Sequence, residues 1–127
     1  MEMIQFIHSF WECVTNQDEK ELLKFFSKDA RVRWHCSNEE FTAEEYIKAN
    51  CEYPDEWNSK VERFEQFGDL VITAVRVWTN EISFHACSFF KMEGMLIKEL
   101  DEYWGAIENV PDWRVSLGIG KSIKNDI

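Results

Sequence analysis

Apolar residues return every three or four positions early in the chain and every second position later, and this change of period divides it in two. Ile4, Ile7, Trp11 and Val14 recur at helical spacing, and Phe6 and Phe10 widen the stripe. The pattern predicts an amphipathic helix ending near residue 16. Asp18 followed by Glu21 has the spacing of a capping box ahead of Leu22, Leu23, Phe25 and Phe26, which predicts a short second helix. Ala30 to His35 alternates and reads as a short strand. Thr42 with Glu45 repeats the capping box and opens a third helix through Tyr46, Ile47 and Asn50. Pro54 cannot continue that helix, and Tyr53 before it is biased to extended backbone.

From Ser59 to Trp104 strand signal dominates, interrupted at Gly68-Asp69, Thr79-Asn80 and Glu93-Gly94. The four segments between these breaks predict antiparallel neighbours joined by tight turns. Each runs about ten residues, beyond the usual ~5–6, and long strands twist, so the sheet is expected to curl around the helices. Helices first and a meander after is an α+β order. The expectation is one domain over residues 1–127: three N-terminal helices packed in a strongly curved antiparallel sheet, a cone-shaped α+β barrel. Its core spans about 3–114, with a loosely held tail over 117–127.

Composition then narrows the partners. Of 127 residues 45% are hydrophobic and 15% aromatic, with six Trp and ten Phe, enough for a core and for aromatic surface beyond it. The net charge of −10 repels phosphate backbones and anionic membranes, so neither nucleic acid nor a membrane is an expected partner. Cys13, Cys36, Cys51 and Cys87 form no Cys-x-x-Cys pair and match no zinc spacing. The first residues lack the pattern of a secretory signal, which points to reduced cysteines and a cytoplasmic protein. Glycine-rich nucleotide loops, a Gly-x-Ser-x-Gly elbow and a His-Glu-x-x-His helix are all missing. No cofactor and no metal site is expected.

With the elements in this order, the chain resembles the nuclear transport factor 2-like superfamily and, within it, the SnoaL-like branch. The resemblance rests on Phe10-Trp11, on Phe25-Phe26-Ser27-Lys28-Asp29-Ala30-Arg31-Val32, on Gly94 with Ile97 and Glu102-Tyr103-Trp104-Gly105, and on Pro111-Asp112-Trp113-Arg114. It covers roughly residues 3 to 114. It implies a curved sheet wrapped over helices, an apolar pocket at the open end, and often a dimer packed sheet to sheet. Members range from isomerases, dehydratases, cyclases and hydrolases to proteins without known chemistry, so the resemblance does not assign a reaction. The catalytic set of the ketosteroid isomerases in this superfamily falls here on Phe10, Trp34 and Ala86, none of which moves a proton. That reaction is expected to be absent.

Several side chains remain candidates. His35 and His85 are candidate general bases by residue type, but alternation groups them with Arg31 and Arg33, and with Cys87, Phe89 and Lys91, on the outer sheet face. His8 lies opposite the apolar stripe of the first helix and is expected in solvent. Glu99, Asp101 and Tyr103 share one strand face. The resemblance places Tyr103 inward, which would carry both carboxylates into a low-dielectric cavity fit for acid–base work. Periodicity opposes this, because Leu96, Leu100 and Trp104 make a better core face, and both alternatives stand at this level. Arg76 could pair with Asp101, hold a carboxylate ligand or be a surface partner. Arg114 is expected to pin the tail to the sheet. Asn50, on the Tyr46 face of the third helix, could orient a ligand.

The sequence therefore predicts a small-molecule-binding domain whose pocket is built from Phe10, Trp34, Tyr46, Asn50, Trp57, Arg76, Glu99 and Tyr103. Its ligand would be a small apolar or aromatic molecule. Any catalysis would be cofactor-free acid–base chemistry with Asp101 as the proton-transfer group. The alternative is a non-enzymatic module that dimerises through the sheet face carrying His85, Cys87 and Phe89.

Overall fold

The computed structural model describes residues 1–125. The order is α1 (Met3–Thr15), α2 (Glu19–Leu23), β1 (Phe26–Trp34), β2 (Glu39–Thr42), α3 (Ala43–Cys51), β3 (Asn58–Phe67), β4 (Leu70–Trp78), β5 (Ser83–Glu93), β6 (Leu96–Ala106) and α4 (Asp112–Val115). Both polar helix starts form, but only the Thr42 one is a full capping box. The Asp18 side chain accepts from the Glu21 backbone N–H at 3.2 Å, and Thr42 and Glu45 cap each other's backbone at 3.2 and 2.9 Å. The predicted second helix is shorter than its apolar run. Phe25 lies beyond its end and Phe26 begins β1.

The six strands lie in one open sheet in the order β2-β1-β6-β5-β4-β3. Strands β3 to β6 form the expected antiparallel meander, with Gly68 and Gly94 at positive φ in its two tightest turns. The sheet as a whole is mixed, which corrects the all-antiparallel expectation. β1 runs parallel to β6, pairing Val32 with Leu100 and Trp34 with Glu102, because the α3 crossover and the meander return the chain in the same direction. Strand β2, too short and polar to signal itself, pairs antiparallel with β1 at the edge. Register shifts between Val61 and Arg63 and between Lys91 and Met92 mark bulges, and a third irregularity interrupts β1. Bulges bend a strand and increase its twist, so they help curl the sheet around the helices.

The core fills the concave side. Phe6, Ile7, Phe10, Trp11 and Val14 of α1 meet Leu22, Tyr46 and Ile47, and the inner residues Val71, Val75, Ala86, Phe90, Ile97 and Leu100 of the sheet. Full burial of one such large apolar side chain contributes about 1.5–3 kcal/mol relative to exposure. Phe10 sits at the centre, with edge-on ring contacts to Trp11, Phe25, Phe26 and Phe90 at centroid distances of 5.5–5.9 Å. The four cysteines are free thiols. No helix is long and apolar enough to cross a membrane among the described residues.

The C-terminal segment is apolar and exposed at Trp113, Val115, Leu117 and Ile119. Its hold on the sheet comes from a later residue than Arg114, whose guanidinium lies over its neighbour Trp113 at 5.1 Å. Lys124 pairs with Glu62 and lies 3.3 Å from His85 Nε2. The last two positions of the tail lie outside the described residues.

Candidate functional site

The open end of the curved sheet holds a cavity of about 460 Å³, within the size range of small-molecule sites. Four parts of the chain converge on it. α1 brings Val14 and Thr15, α3 and its exit bring Asn50, Tyr53 and Trp57, β1 and the turn after it bring Trp34, Cys36 and Ser37, and the meander brings Val77, Ile82, Phe84 and Trp104. Five of these are aromatic, and none of the lining side chains among the described residues is charged.

Polar contacts fix the helix ends that frame the opening. Asn50 Nδ2 donates to the Val14 carbonyl at 3.1 Å, a second bond to an acceptor that the Gln17 backbone N–H already reaches at 3.2 Å at the end of α1. Gln17 Nε2 donates to the carbonyls of Asn50 and Tyr53 at 2.9 and 2.8 Å. Thr15 Oγ1 donates to the Trp11 carbonyl at 2.8 Å and lies 2.6 Å from Ser59 Oγ, tying α1 to β3. These bonds anchor the frame before any ligand arrives. On the walls, Trp34 packs edge-on against Phe41 at 4.8 Å, and Trp104 against Phe84 at 6.1 Å.

Behind this wall lies a carboxylate that the sequence reading missed. Glu102 is fully buried on the inner face of β6, between Leu100 and Trp104. Its Oε2 accepts from Ser88 Oγ at 2.6 Å and its Oε1 from Trp34 Nε1 at 3.1 Å. Burial pushes its carboxyl above the ordinary range, while the donors Ser88 and Trp34 pull the other way. Trp104 Nε1 is buried outside hydrogen-bond geometry, yet its N–H also favours the charged form. Tyr46, fully buried too, has its phenol pushed well up by burial and then by the nearby Glu102 charge. A carboxyl under these conditions holds its proton more firmly than one in water.

The structure divides the predicted site residues into three sets. Trp34, Asn50 and Trp57 line the cavity together. Phe10 and Tyr46 are buried beneath it as core, with Tyr46 edge-on to Trp34 at 6.0 Å. Arg76, Glu99, Asp101 and Tyr103 lie on the outer face, which corrects the expectation that they would reach into the pocket. Arg76 shares its face of β4 with Ile72, Ala74 and Trp78, and for the three residues of β6 the cause is the register shift near Lys98. Ile97 is buried, so strict alternation would send Glu99, Asp101 and Tyr103 inward. With Lys91 paired to Glu99 and Met92 to Ile97, one extra residue enters β6 and the phase reverses. Leu100, Glu102 and Trp104 take the inner face instead. The small polar Ser88 between inner-facing Ala86 and Phe90 was the sequence signal for a buried polar partner.

The outer residues are occupied with one another. Arg33 bonds Glu40 and Glu99 at 2.9 Å each and Asp101 at 3.4 Å, and this raises its already high pKa further. His35 Nε2 lies 2.7 Å from Asp101, and the His35 ring stacks on Tyr103 with centroids 4.5 Å apart. Asp101 is thus a partner in a surface network. Arg76 lies over the Trp78 ring at 4.6 Å. His8 is exposed as expected. No cluster of His, Cys, Asp and Glu suited to a metal ion occurs among the described residues.

No protein-family model matches the sequence, and no curated protein matches it either. Solved structures do match. A candidate ketosteroid isomerase from Kribbella flavida superposes with a TM-score of 0.79 over 97% of this chain and 91% of its own, at 17% identity. A candidate SnoaL-like polyketide cyclase from Shewanella putrefaciens gives 0.70 over 93% and 85%, at 14% identity. A protein from Catenulispora acidiphila with a ketosteroid isomerase-like fold, solved in complex with trimethylamine, gives 0.68 over 77% and 83%, at 12% identity. At these identities the likeness is one of architecture, and the chain has the nuclear transport factor 2-like fold that SnoaL-like and ketosteroid isomerase-like proteins share.

Proposed function

We propose that this chain is a small-molecule-binding domain whose ligand enters the aromatic cavity at the open end of the cone. One observation carries the reading: a 460 Å³ space walled by Trp34, Tyr53, Trp57, Phe84 and Trp104, with no charged side chain among its described lining residues. A core does not need such a space, and leaving large side chains beside a void forfeits packing energy. Proteins of this fold that hold or transform small molecules, the trimethylamine complex among them, add support.

The test is thermal melting against a panel of apolar and aromatic compounds, including carboxylates. A ligand at ~100 times its Kd adds about 2.7 kcal/mol, several degrees in a domain of this size. The shift is expected to vanish in Trp34→Ala. No shift across a broad panel would overturn the reading. For acid–base chemistry the residue to favour is Glu102, which would have to exchange its Trp34 hydrogen bond for one to the ligand. In any assay that shows turnover, Glu102→Gln is expected to abolish it and Asp101→Asn to leave it unchanged.

A homodimer through the outer sheet face is the second reading. It is supported by Tyr103, which is 46% exposed and edge-on to Phe89 at 6.0 Å beside the His35 stack. Sedimentation at micromolar concentration tests it, and a monomer there would exclude it.

A further inference from the structure

Resting on the binding role proposed above, the cavity's chemistry narrows the class of ligand. An aliphatic wall would serve any neutral apolar guest, but this wall is built from rings, three of them indoles. The indole face carries the strongest negative quadrupole among the protein's rings and is the best partner for an organic cation. Trp34 is further tuned, because its N–H donates to Glu102 Oε1 at 3.1 Å. When Glu102 is ionised, this donation pushes electron density onto the ring and makes its face a better cation acceptor.

Three more observations agree. The chain's own cations take indoles elsewhere, Arg76 over Trp78 and Arg114 over Trp113, while no lining residue of the cavity among the described residues is basic. Glu102 behind the wall is acidic, and its negative form would be stabilised by a cation in front of it. The net charge of −10 draws cations to the molecule and repels anions. We propose that the cavity takes an organic cation, a tertiary or quaternary ammonium group on an apolar body, in preference to neutral or anionic molecules of the same shape.

The test compares phenyltrimethylammonium with its neutral isostere tert-butylbenzene and with the anion benzenesulfonate, by titrating tryptophan fluorescence of the full chain. The cation is expected to bind about tenfold or more tighter than the neutral compound, and the anion not at all. In Glu102→Gln and in Trp34→Phe, which keeps a ring but no N–H, the cation preference should narrow severalfold. Retained affinity for tert-butylbenzene then shows that each variant still folds. Equal or tighter binding of the neutral compound by the native chain overturns the cation proposal and leaves the pocket reading standing. Binding of the anion as tight as the cation does the same. A preference undiminished in both variants overturns the carboxylate-tuned cage. If none of the three binds, the cation proposal falls, and the broad melting panel decides the pocket reading separately.

Discussion

Glu102 and Glu62 sit in one sheet, each on a strand that carries a bulge, and the two faces of that sheet treat them in opposite ways. At the β6 bulge the strand changes phase and Glu102 turns into the core, where burial raises its pKa. At the β3 bulge, between Val61 and Arg63, Glu62 turns outward to meet His85 and Lys124, and Lys124 above all lowers its pKa. Residue type is the same in both cases. What differs is whether the partner is a neutral donor in a dry interior or a cation at a wet surface. A bulge therefore decides the chemistry of its neighbours by deciding which solvent they face.

The sharpest way to break this comparison is to remove the bulge residue. Deleting Lys98 forces β6 to choose between keeping Ile97 inside and keeping Leu100, Glu102 and Trp104 inside. Either choice puts apolar residues into water or the Glu99 and Asp101 charges into the core. The expected cost exceeds about 4 kcal/mol, enough to abolish the cooperative melt. A deletion variant that melts like the native chain would show that the phase change is not what orients the strand.

That same bulge marks where sequence reading stops. Helix starts, the three meander breaks and the cone architecture were legible because capping residues, turn glycines and a period of two are local signals. The parallel pairing of β1 with β6 was not, since nothing in either strand records the direction of a neighbour. Both arguments about β6 were sound within their own stretch. The resemblance puts Tyr103 inward, a register that buried Ile97 shares, and periodicity puts Leu96, Leu100 and Trp104 inward, of which Leu96 is exposed. A bulge reconciles them, and no local pattern announces it. Glu102 was passed over because glutamate is almost never fully buried without partners, and its partners Ser88 and Trp34 lie on two other strands. Trp34, Asn50 and Trp57 were found because each stands near the end of an element, where the cone opens.

Next in size is the hydrogen bond from Ser88. Ser88→Ala leaves Glu102 Oε2 without its closest donor in the interior, and should cost about 1–3 kcal/mol in urea unfolding at neutral pH. On the outer face, Asp101→Asn alters a network that solvent already screens and should cost no more than ~1 kcal/mol. Equal costs for the two substitutions would erase the distinction between the faces.

The pH dependence separates the two glutamates by sign. Glu102 has a raised folded pKa, so the folded chain holds a proton that the unfolded chain has already released. Its contribution is intact below the ordinary value of about 4.5 and is lost as pH rises through the raised value. Glu102→Gln removes that loss, keeps an acceptor for Trp34 and a donor for Ser88, and should gain stability relative to the native chain toward alkaline pH. Parallel stability curves for the two proteins from pH 4 to 9 would contradict the burial of an ionisable carboxyl.

The smallest effect belongs to the outer glutamate, and it has the opposite sign. Glu62 has a lowered folded pKa, so its contribution is present above its ordinary value and is lost as acid protonates it. The partners are partly exposed, with side-chain accessibilities of 17% for Glu62 and 33% for Lys124, and solvent screening limits the pair to ~1 kcal/mol or less. Global melting will barely register Glu62→Gln. The tail should register it, because Lys124 is the residue that brings the apolar C-terminal segment back to the sheet. Cleavage by protease after Lys121 is expected to quicken severalfold in Glu62→Gln at neutral pH, and in the native chain when acid protonates Glu62. Glu102→Gln, with the carboxyl on the other side of the same sheet, should leave that cleavage rate unchanged. A tail loosened equally by both substitutions would mean that the sheet transmits charge between its faces, and the contrast between a dry interior and a wet surface would no longer account for the two glutamates.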